Sequence, residues 1–260
     1  MSHPMPRAKR RFDLLVGTAM LVTFLPMLLL TCLGILILEG RPVFYVSRRR
    51  LDAGPPKPVL KFRTMRRDAE RIANRNTVPI ANTRFLNLPP DSPLYTPIGR
   101  SIERLMLTEM PQLIHVISGR MSVVGNRPLP ENVVAALSKE FPGVEARFLV
   151  RGGLTGPVQL IGRDRISDAD RLELEIAYCR AVLAAYSPLL DLKILVYTVL
   201  SGISAHFRFT PEELGALLAS HTEQKASMQP RMHQPLLGSA EKERPAEAAV
   251  PIPERRRARS

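Results

Sequence analysis

The chain has 260 residues, of which 45% are hydrophobic and 23% are charged, so it can form a packed core and is not disordered throughout. Lysine and arginine number 37 against 24 aspartates and glutamates, a net charge of +13, which favours phosphate-bearing partners. Two cysteines and no tryptophan exclude a disulfide scaffold and a four-cysteine zinc site, and argue against an RNA-binding platform of stacked rings.

An uncharged apolar segment occupies residues 14–38 and contains Gly17, Pro26 and Gly34. Its length permits a membrane span, because about 20 apolar residues cross a bilayer. Lysines and arginines flank it on both sides, at residues 7–11 and 41–61, and such residues stay on the cytoplasmic side. Pro26 would divide the segment into two arms of roughly 18 Å, too short to cross alone. These features favour a re-entrant helical hairpin over its alternatives, a straight span and a buried core helix.

The rest of the chain predicts an α+β, mostly helical domain. We expect short strands over residues 42–46, 59–63 and 158–161, and helices over 68–75, 99–107, 108–118, 132–140, 167–183 and 189–203. The helix over 189–203 is apolar but contains Asp191 and Lys193, which favours an amphipathic helix packed on the protein or on a membrane surface. The predicted organisation is a membrane segment (1–40), a domain (41–204), a short C-terminal helix (205–222) and a disordered tail (223–260).

Several features could bind an anion. Lys61 and Arg63 follow each other at strand spacing, and Arg127 and Arg163 stand next to glycines or close behind them, where a backbone can approach a phosphate. Thr108 is a suitable N-cap for a helix with Glu109 in its first turn. A solvated basic edge and an ordinary helix cap are the alternatives. No Walker loop or dinucleotide motif occurs, and magnesium with oxygen ligands is the metal expected beside phosphates.

Taken together and in this order, these motifs resemble the bacterial sugar transferase family, the monotopic phosphoglycosyl transferases. The resemblance covers roughly residues 8–204. Its blocks are Arg11-Phe12-Asp13, Lys61-Phe62-Arg63-Thr64-Met65, Glu109-Met110-Pro111-Gln112-Leu113, Gly119-Arg120-Met121-Ser122-Val123-Val124-Gly125, Arg127-Pro128, Leu154-Thr155-Gly156, Gln159, Gly162-Arg163, Tyr178 and Asp191-Leu192-Lys193-Ile194-Leu195.

The resemblance implies transfer of a sugar phosphate from a nucleotide diphosphate sugar to polyprenyl phosphate, at the cytosolic face of a bacterial inner membrane. In the family, an aspartate of an Asp-Glu pair attacks the sugar-proximal phosphate and magnesium balances the diphosphate charge. Carried over, the implied roles are these: Lys61, Arg63 and Arg127 bind the diphosphate, Glu109 holds magnesium, Gly156, Gln159 and Arg163 form a substrate loop, and Pro26 shapes the membrane segment. Assembly into a homo-oligomer is left open.

The position of the family's nucleophile is occupied by Thr108. A threonine hydroxyl attacks poorly unless a base takes its proton, and Glu109 is badly placed, since adjacent helical residues point about 100° apart. Three readings stay open: transfer through Thr108, direct attack by the lipid phosphate, or a membrane-bound relative that binds these ligands without turnover. Asn126 and Glu175 also depart from the usual proline and aspartate. Nucleic acid is disfavoured as a partner because no recognition module occurs.

Overall fold

The computed structural model describes residues 5–69, 92–162 and 166–228. Its helices and strands, in chain order, are α1 (Arg7–Glu39), β1 (Phe44–Arg49), β2 (Lys57–Phe62), α2 (Pro97–Arg104), α3 (Leu113–Ile117), β3 (Ser122–Val124), α4 (Glu131–Glu140), β4 (Gly153–Thr155), α5 (Asp168–Ala185), α6 (Pro188–Ile203) and α7 (Pro211–Met228). Short 3₁₀ turns occupy Met110–Gln112, Val144–Phe148, Pro157–Leu160 and Ala205–Phe207. The mostly helical prediction is thereby confirmed.

Helix α1 is a single element of 33 residues that contains Pro26 in its interior. Proline removes one backbone hydrogen bond, and a strongly apolar helix of this length tolerates the loss. By length and composition α1 could cross a membrane. The structure does not confirm a hairpin of two separate arms at Pro26, although it does confirm one long apolar helix at this place.

The first turns of α1 are fixed to the domain by a buried polar network. The Lys9 ammonium lies 2.7 Å from Asp191 Oδ2 and 3.0 Å from Asp13 Oδ1, and it donates to the Val124 carbonyl. Asp13 also accepts from the Ser122 hydroxyl at 2.8 Å. Because an unpaired buried charge is costly, these contacts hold the start of α1 against β3 and α6.

The last turn of α1 is bound to the same domain. Arg63 follows β2 and donates to the carbonyls of Glu39, at 3.3 Å, and Gly40, at 2.9 Å. Between the two ends, Gly17 packs against Val116 of α3, where an added Cβ would lie 2.9 Å from Val116 Cγ1. The whole length of α1 therefore lies along one domain, and both of its ends are attached to it.

Two small sheets position the loops of the domain. Strands β1 and β2 form an antiparallel hairpin in which Tyr45 pairs with Lys61, which confirms the first two predicted strands with bounds shifted by a few residues. Strands β3 and β4 pair in parallel. The strand predicted over 158–161 is wrong: these residues belong to the 3₁₀ turn Pro157–Leu160, because the proline that follows Gly156 cannot donate to a sheet.

The main core lies between β3 and the three C-terminal helices. Its fully buried members include Val123, Tyr178 and Ile194. Ser167 caps the start of helix α5, and its hydroxyl accepts from the Asp170 amide. Thr210 and Glu213 form a reciprocal capping box at the start of α7. The helices predicted over 132–140, 167–183 and 189–203 are thus confirmed, and α7 extends beyond the predicted short C-terminal helix to Met228.

Helix α6 presents an apolar face to solvent. Its exposed side chains recur every three or four residues and so share one side of the helix; they are Leu189, Leu192, Val196, Val199 and Ile203. On the opposite side Asp191 is buried. The predicted helix is confirmed, but apolar residues lie on both of its sides, since Leu190 and Ile194 are buried beside Asp191, so the amphipathic prediction is not confirmed. The helix predicted over 68–75 falls mostly outside the described residues, as does most of the predicted tail.

Candidate functional site

Three of the residues that the sequence singled out meet in one charged cluster, Lys61–Glu109–Arg127. The Lys61 ammonium lies 2.6 Å from Glu109 Oε1. The Arg127 guanidinium binds the same carboxylate with both of its arms, Nη1 to Oε2 at 3.0 Å and Nη2 to Oε1 at 2.7 Å. Bidentate pairs of this kind are strong and fix the plane of the guanidinium. The cluster therefore holds two cations side by side with one anion between them.

The cluster is half-buried, and burial is among the causes that shift the pKa values of its three side chains. Burial by itself would raise the pKa of Glu109, but the charges and hydrogen bonds of Arg127 and Lys61 outweigh it and hold that pKa far below its ordinary value. The charge of Glu109 raises the pKa of Arg127. Burial lowers the pKa of Lys61 despite the attraction of Glu109. Glu109 is thus a firmly ionised carboxylate and a poor proton acceptor.

Local backbone contacts bring the three side chains together from distant parts of the chain. Lys61 comes from β2, and the next amide, that of Phe62, donates to the Thr108 carbonyl at 2.9 Å. This bond sets Glu109 beside the strand. Arg127 follows β3, which the Asp13 carboxylate holds through the Val123 amide. The start of α1, the hairpin and β3 therefore all support the cluster.

Thr108 is not the N-cap that the sequence predicted. The helix expected over 108–118 is replaced by the 3₁₀ turn Met110–Gln112 and the five-residue helix α3, and Glu109 precedes the turn. An N-cap side chain binds the amide of the second or third helical residue. Here the Met110 amide donates to the Leu107 carbonyl and Pro111 has no N–H, so Thr108 has no amide to cap. The Thr108 hydroxyl instead donates to Glu103 Oε2 at 2.5 Å. Glu103 lies in the last turn of α2, and sequence reasoning missed it.

A pocket opens next to the cluster, and Arg127 belongs to both. Gly156 and Gln159 of the predicted substrate loop line it, so the structure brings two of the predicted loop residues beside the cluster. The other lining residues are Asn126, Pro157, Val158, Arg171 and Glu175. Gly156 permits a very close approach of two loops, since a Cβ there would lie 2.2 Å from the Gly125 carbonyl oxygen.

Asn126 and Glu175, the two further departures from the usual family pattern, line the pocket and both contact the buried Arg147. Arg147 donates to the two oxygens of Glu175 at 2.6 and 2.9 Å. The Asn126 amide donates to the carbonyls of Arg147 and Glu175. Arg147 also donates to the Arg127 carbonyl at 3.0 Å. Asn126 and Glu175 therefore position Arg127 and the wall of the pocket.

The remaining predicted residues lie elsewhere. Arg63 does not join Lys61, because it is buried against the end of α1. Pro26 lies in the middle of α1. Arg163 falls outside the described residues, so the prediction for it stays untested. Beside Thr108, Leu105 and Met106 are exposed apolar side chains, which makes the rim of the site apolar.

The residues of this site do not fit a resident magnesium ion on Glu109. Both oxygens of Glu109 already accept hydrogen bonds from Lys61 and Arg127, and two adjacent cations repel a third. Within residues 5–69, 92–162 and 166–228, no group of three or more histidine, cysteine or acidic residues could hold a metal. The metal role implied for Glu109 is therefore unsupported, while magnesium itself stays a prediction.

Comparison with known proteins agrees with these features. The family model described as "Bacterial sugar transferase" matches residues 5–205, which include α1, the cluster and the pocket. The chain belongs to the bacterial sugar transferase family. The match ends after α6, so α7 is an addition beyond the part that this sugar transferase shares with the family model.

Three relatives illustrate the likeness. The exopolysaccharide production protein ExoY of Sinorhizobium fredii is 32% identical over 198 residues, covering 74% of this chain and 84% of the relative. The uncharacterized sugar transferase EpsL of Bacillus subtilis is 33% identical, covering 74% and 85%. The UDP-glucose:undecaprenyl-phosphate glucose-1-phosphate transferase of Caulobacter vibrioides is 31% identical, covering 75% and 72%.

Proposed function

We propose that this sugar transferase moves a sugar phosphate from a nucleoside diphosphate sugar to polyprenyl phosphate. The observation that carries the proposal is the Lys61–Glu109–Arg127 cluster, in which two cations lie side by side and Arg127 also lines a pocket. The reaction named for the Caulobacter vibrioides relative supports the substrate classes, and the exopolysaccharide production named for ExoY supports a role in polysaccharide synthesis.

The cluster suits a diphosphate. Lys61 and Arg127 are held by one carboxylate, so their charges are already together before the substrate binds. Little side-chain entropy is therefore lost when the substrate binds them. A diphosphate offers several acceptor oxygens to the planar fork of Arg127 and the compact charge of Lys61. In our proposal the diphosphate binds Lys61 and Arg127, which Glu109 has already brought together.

The pocket beside Arg127 would hold the rest of the donor. Gly156 and Gln159 line it together with Arg127. The Gln159 side chain carries both a donor and an acceptor, which suits the hydroxyls of a sugar or a base edge. We propose that the nucleotide sugar lies in this pocket with its diphosphate on Lys61 and Arg127. We keep Arg163 in this substrate loop on the resemblance alone.

We further propose that the protein is monotopic and lies on the cytosolic face of the inner membrane. Both ends of α1 bind one domain, through Lys9 at the start and through Arg63 at the end, and a folded domain lies on one side of a bilayer. The side of α1 that faces away from the domain is apolar and exposed, with residues that include Leu15, Leu30 and Ile37. Such a surface is stable in lipid.

A membrane surface shared by α1 and α6 would bring the lipid substrate to the site. Met106 at the rim lies near α6, since a Cβ on Gly202 would be 3.1 Å from Met106 Cε. The apolar face of α6 and the apolar rim are therefore neighbours. A polyprenyl phosphate that stays in the bilayer could thus present its phosphate at the cluster without leaving the membrane.

Reporter fusions test the topology. Fusions at both termini of the full chain are expected in the cytoplasm, because both ends of α1 lie on the domain side. The reporters are a phosphatase active only outside the cytoplasm and a fluorescent protein that folds inside. Reporters on opposite sides of the membrane would contradict the monotopic arrangement.

Release of nucleoside monophosphate tests the function. Purified full-length protein is incubated with magnesium, undecaprenyl phosphate and a panel of nucleoside diphosphate sugars. We expect release that depends on the lipid phosphate and falls at least about 100-fold in Arg127→Met, because a cation that stabilises the reacting phosphates contributes several kcal/mol. Arg180→Met, at an exposed position on α5, is the matched control. No release with any donor would overturn the proposal.

A second candidate function is binding of the same ligands without turnover. The specific observation that favours it is Thr108 at the place of the family's nucleophilic aspartate. This candidate predicts that nucleotide sugar binds to the wild-type chain, as measured by calorimetry, although no monophosphate is released.

Magnesium would enter with the donor. Because Glu109 is bound by two cations, we propose that the ion travels on the diphosphate rather than on a resident site. Chelation should then abolish monophosphate release without changing the melting temperature of the substrate-free protein. A chelator that lowers the melting temperature would contradict this.

The homo-oligomer also stays a prediction, tested by the mass of the particle in detergent.

A further inference from the structure

Glu103 and Thr108 form a pair outside the Lys61–Glu109–Arg127 cluster and directly beside it. The Thr108 hydroxyl donates to Glu103 Oε2 at 2.5 Å. The charge of Glu103 reaches the cluster, because it is among the causes that raise the pKa of Arg127, after the charge and hydrogen bonds of Glu109 and against the effect of burial. A hydroxyl that already points its hydrogen at a carboxylate has the arrangement of a nucleophile and its base.

The C-terminal cap of α2 positions Thr108 beside Glu103. Met106 has a positive φ of 55°. Its amide donates to the Glu103 carbonyl and the Leu107 amide donates to the Ile102 carbonyl, both at 3.0 Å, which is the pattern of a Schellman C-cap. Leu107 and Ile102 are buried in the same apolar cluster. The backbone therefore reverses at Met106, which returns Thr108 to the last turn of α2.

The two acidic side chains near Thr108 are suited to different tasks. Glu109 accepts hydrogen bonds from Lys61 and Arg127 on both of its oxygens, so it has little affinity for a proton. Glu103 is an exposed residue that accepts the hydroxyl hydrogen itself. A base must lie within hydrogen-bond reach of the proton that it removes, and Glu103 meets this condition.

We propose that Glu103 is the proton acceptor that makes Thr108 the nucleophile of this sugar transferase. This inference rests on the proposed function. Thr108 Oγ forms a bond to the sugar-proximal phosphorus while its proton moves to Glu103. The bond from that phosphorus to the oxygen bridging the two phosphates breaks, and the nucleoside monophosphate leaves with the bridging oxygen and its electron pair.

The second half of the reaction restores the pair. An oxygen of the polyprenyl phosphate attacks the same phosphorus, the bond to Thr108 Oγ breaks, and Glu103 returns the proton to that oxygen. The products are a polyprenyl diphosphate sugar and the starting enzyme, so atoms and charges balance without a further reactant. An ionised aspartate would attack without losing a proton, whereas the Thr108 hydroxyl must lose one, and Glu103 accepts it.

The inference predicts that the two positions act together. Glu103→Gln keeps the size and a hydrogen-bond acceptor but takes up no proton, so we expect monophosphate release to fall about 100-fold or more, the usual contribution of a general base. In a Thr108→Asp background the nucleophile is already ionised, so adding Glu103→Gln should change the rate less than about threefold. Glu212→Gln, at an exposed glutamate of α7, is the matched control.

Intact-protein mass spectrometry gives an independent readout. With donor and magnesium but no lipid phosphate, the wild-type chain should gain the mass of one sugar phosphate, and peptide mapping should place it on Thr108. Glu103→Gln should form this adduct far more slowly, while its melting temperature stays that of the wild type. Addition of undecaprenyl phosphate should remove the adduct.

The outcomes separate this inference from the proposed function. If the wild type releases monophosphate and Glu103→Gln releases it at the same rate, the inference is overturned and the proposed function stands. The same holds if Glu103→Gln lowers the rate of release by the same factor in the Thr108→Asp background as in the wild type. An adduct on another residue, or turnover by Thr108→Ala at the wild-type rate, also overturns it. If the wild type releases no monophosphate with any donor, both the proposed function and the inference fail.

Discussion

The buried ammonium of Lys9 gives the most direct test of how α1 is attached to the domain. It lies between two carboxylates, 2.7 Å from Asp191 and 3.0 Å from Asp13, and the three side chains are at most 2% exposed. In Lys9→Met the two carboxylates would share one dry site without a cation. Removing one partner of a buried pair costs about 3–5 kcal/mol. The start of α1 should therefore come loose.

The size of the effect is measurable by thermal unfolding in detergent, followed by circular dichroism. A change of 1 kcal/mol shifts the melting temperature by roughly 2–4 °C in a chain of this size, so Lys9→Met should melt roughly 10 °C lower than the wild type. Lys139→Met, at an exposed lysine of α4, should change it by less than about 2 °C. A shift as small in Lys9→Met as in the control would refute this account of the anchor.

The same variant should respond to pH. Burial raises the pKa of Asp191, against the opposing charge of Lys9 and the hydrogen bonds from Lys9, Tyr178 and Tyr186. A carboxyl whose folded-state pKa is raised binds protons more tightly in the folded chain, so its contribution to stability falls as the pH rises above its ordinary value of 3.8. Loss of Lys9 strengthens this trend. The deficit of Lys9→Met should be larger at pH 8 than at pH 5, and Asp191→Asn in the same chain should recover part of it.

Three further predictions concern the site. Gly156→Ala should lower the melting temperature or abolish monophosphate release, because the new Cβ would lie 2.2 Å from the Gly125 carbonyl oxygen. Gly143→Ala has no atom within 4 Å of its Cβ and should change neither the melting temperature nor the release. Glu109→Gln should make the stability less dependent on acid pH. The depressed pKa of Glu109 stabilises the fold above pH 4.5, its ordinary value, and this contribution is lost on acidification. The melting temperatures of the wild type and Glu109→Gln should therefore converge as the pH falls below 4.5, and a constant difference would contradict this. Arg147→Met should cost about 3–5 kcal/mol in melts because it leaves Glu175 buried without its cation; a loss below about 1 kcal/mol would contradict this.

Parts of the fold follow from local patterns that the sequence displays. The two strands of the β1–β2 hairpin and the helix α6 are visible in the sequence as short apolar segments bounded by glycine, proline or serine. The grouping of Lys61, Glu109 and Arg127 was expected from the family resemblance, and the structure brings these three together. Local propensity and motif order were sufficient for these features.

Other parts depend on contacts that no local pattern reveals. The ion pair of Lys9 and Asp191 joins α1 to α6, two helices that are far apart in the chain. The pair of Glu103 and Thr108 depends on a positive φ at Met106, a conformation that sequence reasoning assigns to glycine or asparagine. A capping threonine is the ordinary expectation at Thr108, but Pro111 has no N–H for the cap to accept and the Met110 amide donates to the Leu107 carbonyl.

The fate of the sugar-proximal phosphorus tests the central claim most directly. A nucleoside diphosphate sugar labelled with ³²P at that position is given to the purified chain with magnesium and undecaprenyl phosphate, and label is counted in the organic phase. We expect the label to move into the lipid with unlabelled nucleoside monophosphate left in water. Label that stays in the aqueous phase, as intact donor or as nucleoside diphosphate, would contradict phosphoglycosyl transfer by this protein.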